Sequence, residues 1–77
     1  MQLTILAFAN AADALGWRSI LAESTPLQSP REIIATVAPG FTPGSWRVAV
    51  DCDYRPWDEP IGPLAQEIAI IPPVSGG

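Results

Sequence analysis

The sequence contains no histidine and no lysine, and it has a single cysteine, Cys52. Histidine is the commonest general base and metal ligand, so its absence excludes Ser-His-Asp and Cys-His catalysis. One cysteine cannot form an internal disulfide bond or a zinc site, and no metal site is predicted. We interpret Cys52 as a small, half-buried residue in a reducing compartment, which predicts a cytoplasmic protein.

Charge is scarce and of one dominant sign. Four arginines stand against eight aspartates and glutamates, which gives a net charge of −4. An acidic surface repels nucleic-acid phosphates and anionic lipids, so neither nucleic acid nor a membrane is an expected partner. The apolar run at residues 3–9 is too short to span a membrane, and no basic residue precedes it as in a signal peptide.

The composition is that of a folded protein, since hydrophobic residues make up 48% of the 77 residues. A chain of this length forms one domain at most, because domains usually contain about 50–250 residues. It has no room for a core, a cofactor site and a substrate pocket together, so we expect no bound cofactor.

Nine prolines and six glycines divide the chain into short elements. Residues 10–16 are alanine-rich and predict one helical turn that ends at Gly16. A turn is expected at residues 51–53. Apolar runs and alternating apolar residues predict five strands, at residues 2–9, 18–23, 46–50, 54–57 and 67–71.

The clearest local signal is the start of a helix at Ser29. Serine at the N-cap, Pro30 at the first helical position and Glu32 three residues after the cap form a capping box. Apolar residues then recur with helical spacing, and Pro39-Gly40 ends the pattern.

The predicted fold is α+β, with one main helix on one face of a small mixed sheet. The first and last strands are apolar on both faces, so we expect them to be central neighbours. Ubiquitin-like β-grasp folds have this layout, and residues 1–71 would form the domain. The opposite sheet face is then either covered by loops or a partner surface, and its apolar residues are Leu6, Phe8, Ala69 and Ile71.

The chain ends with Ile71-Pro72-Pro73-Val74-Ser75-Gly76-Gly77. Two consecutive prolines cannot continue a sheet ladder and favour an extended conformation, so residues 72–77 are predicted to form a stalk of roughly 20 Å. Two glycines without side chains can thread a narrow channel. This tail suits the delivery of a terminal carboxylate into the active site of another protein.

This terminal motif resembles that of the small, sulfur-carrying subunit of molybdopterin synthase. The resemblance extends to Leu6-Ala7-Phe8-Ala9, the capped helix, Val48-Ala49-Val50-Asp51 and Glu67-Ile68-Ala69-Ile70-Ile71. In that family an activating enzyme uses ATP to adenylate the glycine carboxylate, which is then converted to a thiocarboxylate. The tail enters the catalytic subunit and donates sulfur to a cyclic pterin precursor.

The resemblance implies a role for each part of the tail and for a docking face. Gly77 corresponds to the sulfur-bearing glycine, and Val74, Ser75 and Gly76 correspond to the channel segment. Phe8, Tyr54 and Ile71 match the hydrophobic docking face. The implied partners are the large catalytic subunit and the adenylating enzyme, which supply the catalytic groups, so this chain would be a non-catalytic subunit.

Other functions stay open on the sequence alone. A sulfur carrier of the thiamine or tRNA-modification type, or a ubiquitin-like protein modifier, shares the fold and the two terminal glycines. From a different class, the chain could be an interaction module whose Pro-Pro tail is a peptide ligand. An enzyme is the least favoured class, because the carboxylates at residues 51–59 fit solvated turns.

Overall fold

The structure, a computed structural model, describes residues 1–73. These residues form five strands and two helices. In chain order they are β1 (Gln2–Ala7), α1 (Asn10–Leu15), β2 (Ser19–Glu23), α2 (Pro30–Val37), β3 (Arg47–Val50), β4 (Asp53–Arg55) and β5 (Glu67–Ile71).

All five strands belong to one mixed sheet, in the order β2-β1-β5-β3-β4. The first strand runs parallel to the last, with Ile5 opposite Ile68 and Ala7 opposite Ile70. The remaining neighbours are antiparallel. The expectation that the first and last strands lie side by side is therefore confirmed, and β5 occupies the centre of the sheet.

The core lies on one face of this sheet. Alternation along β1 directs Leu3, Ile5 and Ala7 into it, as predicted. Helix α2 contributes two fully buried side chains, Ile33 and Ile34, and α1 contributes Ala11. The other strands add Ala22, Val48, Val50, Ile68 and Ile70, and the segment between β4 and β5 completes the core with Ile61 and Ala65.

Helix α2 begins with the predicted capping box. The backbone N–H of Glu32 donates to Ser29 Oγ at 3.3 Å, and the Ser29 N–H donates to Glu32 Oε1 at 3.0 Å. Two N–H groups that have no partner within the helix are thereby satisfied. The helix ends at Val37, and Ala38 is its C-cap.

The first strand is two residues shorter than predicted. It ends at Ala7, because Ala9 has a φ of 50° and serves as the N-cap of α1. A residue in that conformation cannot continue an extended strand. The predicted helical turn is real and ends, as expected, at Gly16, whose φ of 88° is the left-handed conformation typical of glycine at a helix end.

The hairpin between β3 and β4 is tighter than predicted. Val50 pairs with Asp53, so only two residues form the turn. Asp51 and Cys52 have φ values of 49° and 71°, as in a type I′ turn. Strand β4 therefore begins at Asp53 and ends at Arg55, before Pro56, instead of spanning 54–57. Cys52 is exposed at the turn, so its interpretation as a half-buried residue is wrong.

Within residues 1–73, none of the helices is long and apolar enough to cross a membrane.

Candidate functional site

The tail leaves the domain at the end of the sheet where both β1 and β5 finish. These strands are parallel, so Ala7 and Ile70 lie opposite each other near their carboxyl ends. Pro72 is buried and Pro73 is exposed, so the chain reaches the surface two residues after β5. The predicted tail residues Val74, Ser75, Gly76 and Gly77 lie outside the described residues.

The sheet face opposite the core carries a continuous row of side chains. The strand registers place Ala49 between Tyr54 and Ala69, and Ala69 beside Leu6. The two alanines are only 5% and 6% exposed, although they are not part of the core cluster. Ala69, which the sequence placed on a face covered either by loops or by a partner, is buried within the chain itself, because a methyl group in mid-sheet is shielded by its larger neighbours.

The three predicted docking residues lie on this face, at the end from which the tail leaves. The Phe8 N–H donates to Ile70 O at 3.1 Å, which places Phe8 beside Ile71. Phe8 is 48% exposed and Tyr54 is 62% exposed, whereas Ile71 and Leu6 are half-buried. The helices do not cover this face at Phe8 and Tyr54, so large apolar surface is open to solvent there.

Arg47 lies among these residues, and sequence reasoning did not single it out. It pairs with Ile71 across β3 and β5, and its guanidinium carbon is 5.6 Å from the centre of the Tyr54 ring. The sequence feature that could have identified Arg47 is the alternation along β3, which places Arg47 and Ala49 on the face opposite Val48 and Val50. We call Phe8, Arg47, Tyr54 and Ile71 the tail-end patch.

A shallow depression connects the tail-end patch to the departing chain. It is lined by Ser45, Arg47, Tyr54, Ile71, Pro72 and Pro73. Arg47 follows Trp46, whose backbone carbonyl accepts a hydrogen bond from Trp57 Nε1 at 2.9 Å. The ring of Phe41 packs against both tryptophans, with centroid distances of 5.9 and 5.7 Å. This aromatic cluster anchors the start of β3 and therefore the backbone that carries Arg47.

Two of the four arginines are held in ion pairs, although Arg55 lines a depression together with Arg47 and Tyr54 of the patch. Arg31 Nε is 2.7 Å from Asp58 Oδ1, and an Arg55 nitrogen is 3.1 Å from Glu59 Oε1. Neither Arg47 nor Arg18 forms an ion pair with any residue of the range 1–73. The cation of the tail-end patch is thus not neutralised by a carboxylate in that part of the chain.

The turn carboxylates have a structural role at the other end of the sheet. Asp51 Oδ1 accepts hydrogen bonds from the backbone N–H groups of Gln66 and Glu67, each at 3.0 Å. This fixes the start of β5 to the β3–β4 turn. Among the described residues, His, Cys, Asp and Glu side chains form no group of three or more that could hold a metal ion.

Helix α2 over a five-stranded mixed sheet, with the first and last strands parallel at its centre, defines a ubiquitin-like β-grasp fold. This confirms the predicted fold class. No family model matches the sequence, and no curated protein matches it. The similarity of this chain to known proteins is therefore found in their three-dimensional structures.

Three solved structures resemble this chain over nearly its whole length. SAMP1 from Haloferax volcanii has a TM-score of 0.77 at 19% sequence identity and covers 100% of both chains. A second structure, small archaeal modifier protein 1 of H. volcanii, has a TM-score of 0.72 at 16% identity, covering 95% of this chain and 98% of that one. A protein from Pyrococcus furiosus, named as a candidate molybdopterin converting factor subunit 1, has a TM-score of 0.69 at 18% identity, covering 96% and 99%.

At these identities the similarity establishes the fold and leaves the function to be argued from the residues. It also shows that the chain matches the full length of proteins whose names describe a modifier and a molybdopterin converting factor subunit.

Proposed function

We propose that this protein is the sulfur carrier of molybdopterin synthesis and that Gly77 carries the sulfur. The observation that carries the proposal is the course of the chain at its end. The central strand β5 leads into Pro72 and Pro73, which line the same depression as Arg47, Tyr54 and Ile71 of the tail-end patch. In the sequence these prolines are followed by Val74, Ser75 and the two glycines. A partner that binds the patch is positioned to receive the terminal carboxylate.

The chemistry requires activation of that carboxylate, because a carboxylate ion is a poor electrophile. One carboxylate oxygen attacks the α-phosphorus of ATP on the adenylating enzyme, and pyrophosphate leaves. A hydrosulfide ion then attacks the acyl carbon of the adenylate, and AMP leaves with the bonding electrons. The product is a Gly77 thiocarboxylate, whose sulfur is a nucleophile that the original carboxylate lacked.

Partners must supply the groups that stabilise these transition states. The chain has neither histidine nor lysine, and its arginines at 31 and 55 are held in ion pairs. We therefore assign adenylation to an activating enzyme. Transfer of sulfur to a cyclic pterin precursor takes place in the large catalytic subunit. Hydrolysis after transfer returns Gly77 to the carboxylate form.

A second candidate is a ubiquitin-like protein modifier, which is favoured by the names of the two similar structures from Haloferax volcanii. It uses the same activated glycine, but a lysine amine of a target protein attacks the acyl carbon. The products of the two functions differ, since one is a thiocarboxylate and the other an isopeptide. Thiamine-type and tRNA-modifying carriers share the thiocarboxylate and differ in the acceptor of sulfur.

Intact mass spectrometry separates the two functions. The protein is co-expressed with an adenylating enzyme and a sulfur donor, and a gain of about 16 Da is expected because sulfur replaces one oxygen at the carboxylate. The loaded protein is then incubated with the catalytic subunit and the cyclic pterin precursor, and loss of this added mass with formation of a sulfur-containing pterin is expected. Conjugates on lysine without any thiocarboxylate would support the modifier function instead.

A further inference from the structure

We infer that Arg47 is a specificity-determining contact that pairs with a carboxylate on the adenylating enzyme. This inference rests on the proposed function and names the chemistry of the surface that receives the tail. Arg47 lies on the open sheet face, paired in register with Ile71, the last residue of β5. It is exposed, and it lines the same depression as Pro72 and Pro73.

The charge distribution of the chain singles out this arginine. The protein has a net charge of −4, so an acidic partner gains no general attraction to it. Arg31 and Arg55 are already paired with Asp58 and Glu59. The two other arginines lack an ion pair within residues 1–73, and of these Arg18 lines a depression together with Asp13. Among residues 1–73, no carboxylate lines either of the two depressions that Arg47 borders.

The guanidinium also has an aromatic neighbour within the chain before any partner binds. It lies 5.6 Å from the Tyr54 ring centre, within the range of a cation–π contact. A side chain that is already ordered loses less conformational entropy when it forms an interface. Arginine and tyrosine together are typical of the few residues that dominate binding energy at protein interfaces.

The surroundings favour a protein carboxylate over a phosphate. Tyr54, Ile71 and Pro73 flank the guanidinium with apolar surface, which a protein interface can cover. Phosphate sites usually add backbone N–H groups from a glycine-rich loop or a helix N-terminus. In the part of the chain that the structure describes, neither feature lines the depression at Arg47. Among residues 1–73, Arg47 is the one arginine of the depression that contains Pro72 and Pro73, since Arg55 borders the neighbouring depression and is paired with Glu59. One guanidinium matches one aspartate or glutamate in planar, two-point contact.

The test measures adenylation kinetics with the purified adenylating enzyme and ATP, following pyrophosphate release at increasing concentrations of the carrier. Arg47→Glu is compared with wild type and with Arg31→Glu, which makes the same change of net charge on α2. Loss of a desolvated interfacial charge pair predicts a rise in KM of about 30-fold or more for Arg47→Glu, with little change in kcat. Arg31→Glu is expected to stay within about twofold of wild type, because exposed ion pairs contribute little.

Arg47→Lys and Arg47→Gln complete the series. Lysine keeps the charge without the planar fork, so its KM should fall between those of wild type and Arg47→Gln. Thermal melting of each variant confirms that the domain is folded, and Arg47→Gln serves as the main variant if the glutamate variant is unfolded. Equal KM values for Arg47→Glu and Arg31→Glu overturn the inference while leaving the proposed function intact. Failure of wild type to be adenylated at all overturns the proposed function and this inference with it.

Discussion

At the scale of single residues, the β3–β4 turn holds Cys52 in a conformation that suits glycine better. Its φ is 71°, and a side chain in the left-handed region costs roughly 1–2 kcal/mol. Type I′ turns favour glycine at this second position. Cys52→Gly should therefore stabilise the domain by about 1 kcal/mol and raise Tm by about 4–8 °C.

Cys52→Ala is the matched control, because it removes the thiol and keeps the backbone strain. It should leave Tm nearly unchanged, since the side chain is exposed. A lower Tm for Cys52→Gly than for Cys52→Ala would show that the turn is not under strain.

Phe8 tests the docking role of the tail-end patch. Phe8→Arg should weaken binding to the adenylating enzyme by at least about 10-fold, because a charge there stays hydrated in the monomer but loses water in a complex. The domain should remain folded, since Phe8 is 48% exposed and outside the core cluster. Calorimetric titration against the enzyme measures the affinity.

Leu27→Arg is the control for Phe8→Arg. Leu27 is 81% exposed in the loop before α2 and is not part of the patch. The same new charge there should leave the affinity unchanged. Equal loss of affinity in both variants would contradict a docking role for Phe8.

Alternation along strands predicted which residues share a face, but it could not predict how exposed they are. Leu3 and Ile5 are buried and Phe8 is exposed, as the period of two required. Ala69 lies on the predicted face and is nevertheless buried, since its exposure depends on side chains from adjacent strands. Arg47 was missed for a related reason, because its contact with Tyr54 forms only through the pairing of β3 with β4.

At the scale of elements, the capping box can be tested by removing its hydroxyl. Ser29→Ala deletes the acceptor for the Glu32 N–H and should destabilise the domain by about 1 kcal/mol. Ser29 is only 4% exposed, so water cannot easily replace the lost contact. Chemical denaturation should show a lower midpoint with an unchanged slope.

Ser19→Ala provides the comparison for this measurement. Ser19 is exposed on β2, and its side chain forms no hydrogen bond with residues 1–73. Its replacement should change the unfolding free energy by less than about 0.5 kcal/mol. If both alanine variants lose the same stability, the capping box contributes nothing measurable.

Elements with local signals were predicted well, whereas the ends of β1 and β4 were not. Helix α2 carries its own start signal in Ser29, Pro30 and Glu32, so the sequence alone located it. The end of β1 depends on the φ of Ala9, which no residue preference indicates. The hairpin turn was assigned one residue too many because register is set by pairing across β3 and β4.

At the scale of the whole molecule, the parallel pairing of the two chain ends links fold and proposed function. Strand β1 lies beside β5 in the middle of the sheet, and the chain leaves from the end of β5. The point where the tail emerges is thus fixed by the core residues Ile68 and Ile70, which are fully buried. Under the proposed function, this exit point and the length of residues 72–77 together set the distance between a docked domain and the carboxyl group of Gly77.

The last prediction tests that distance. Deleting Gly77, or adding one residue after it, should abolish formation of the thiocarboxylate while leaving Tm unchanged. One residue moves the carboxyl group by about 3.5 Å, and a displacement of about 1 Å can already reduce a rate about 100-fold. The assay is the mass gain of about 16 Da after incubation with the adenylating enzyme, ATP and sulfide, where sulfur takes the place of oxygen. Two outcomes would contradict this prediction. If the wild-type protein gains no mass and both variants still bind the partner, the chain is favoured as an interaction module that binds through its Pro-Pro segment.

If a chain that ends at Gly76 is loaded with sulfur, the active site does not measure the length of the tail. The assignment of Gly77 as the specific sulfur-bearing residue is then wrong.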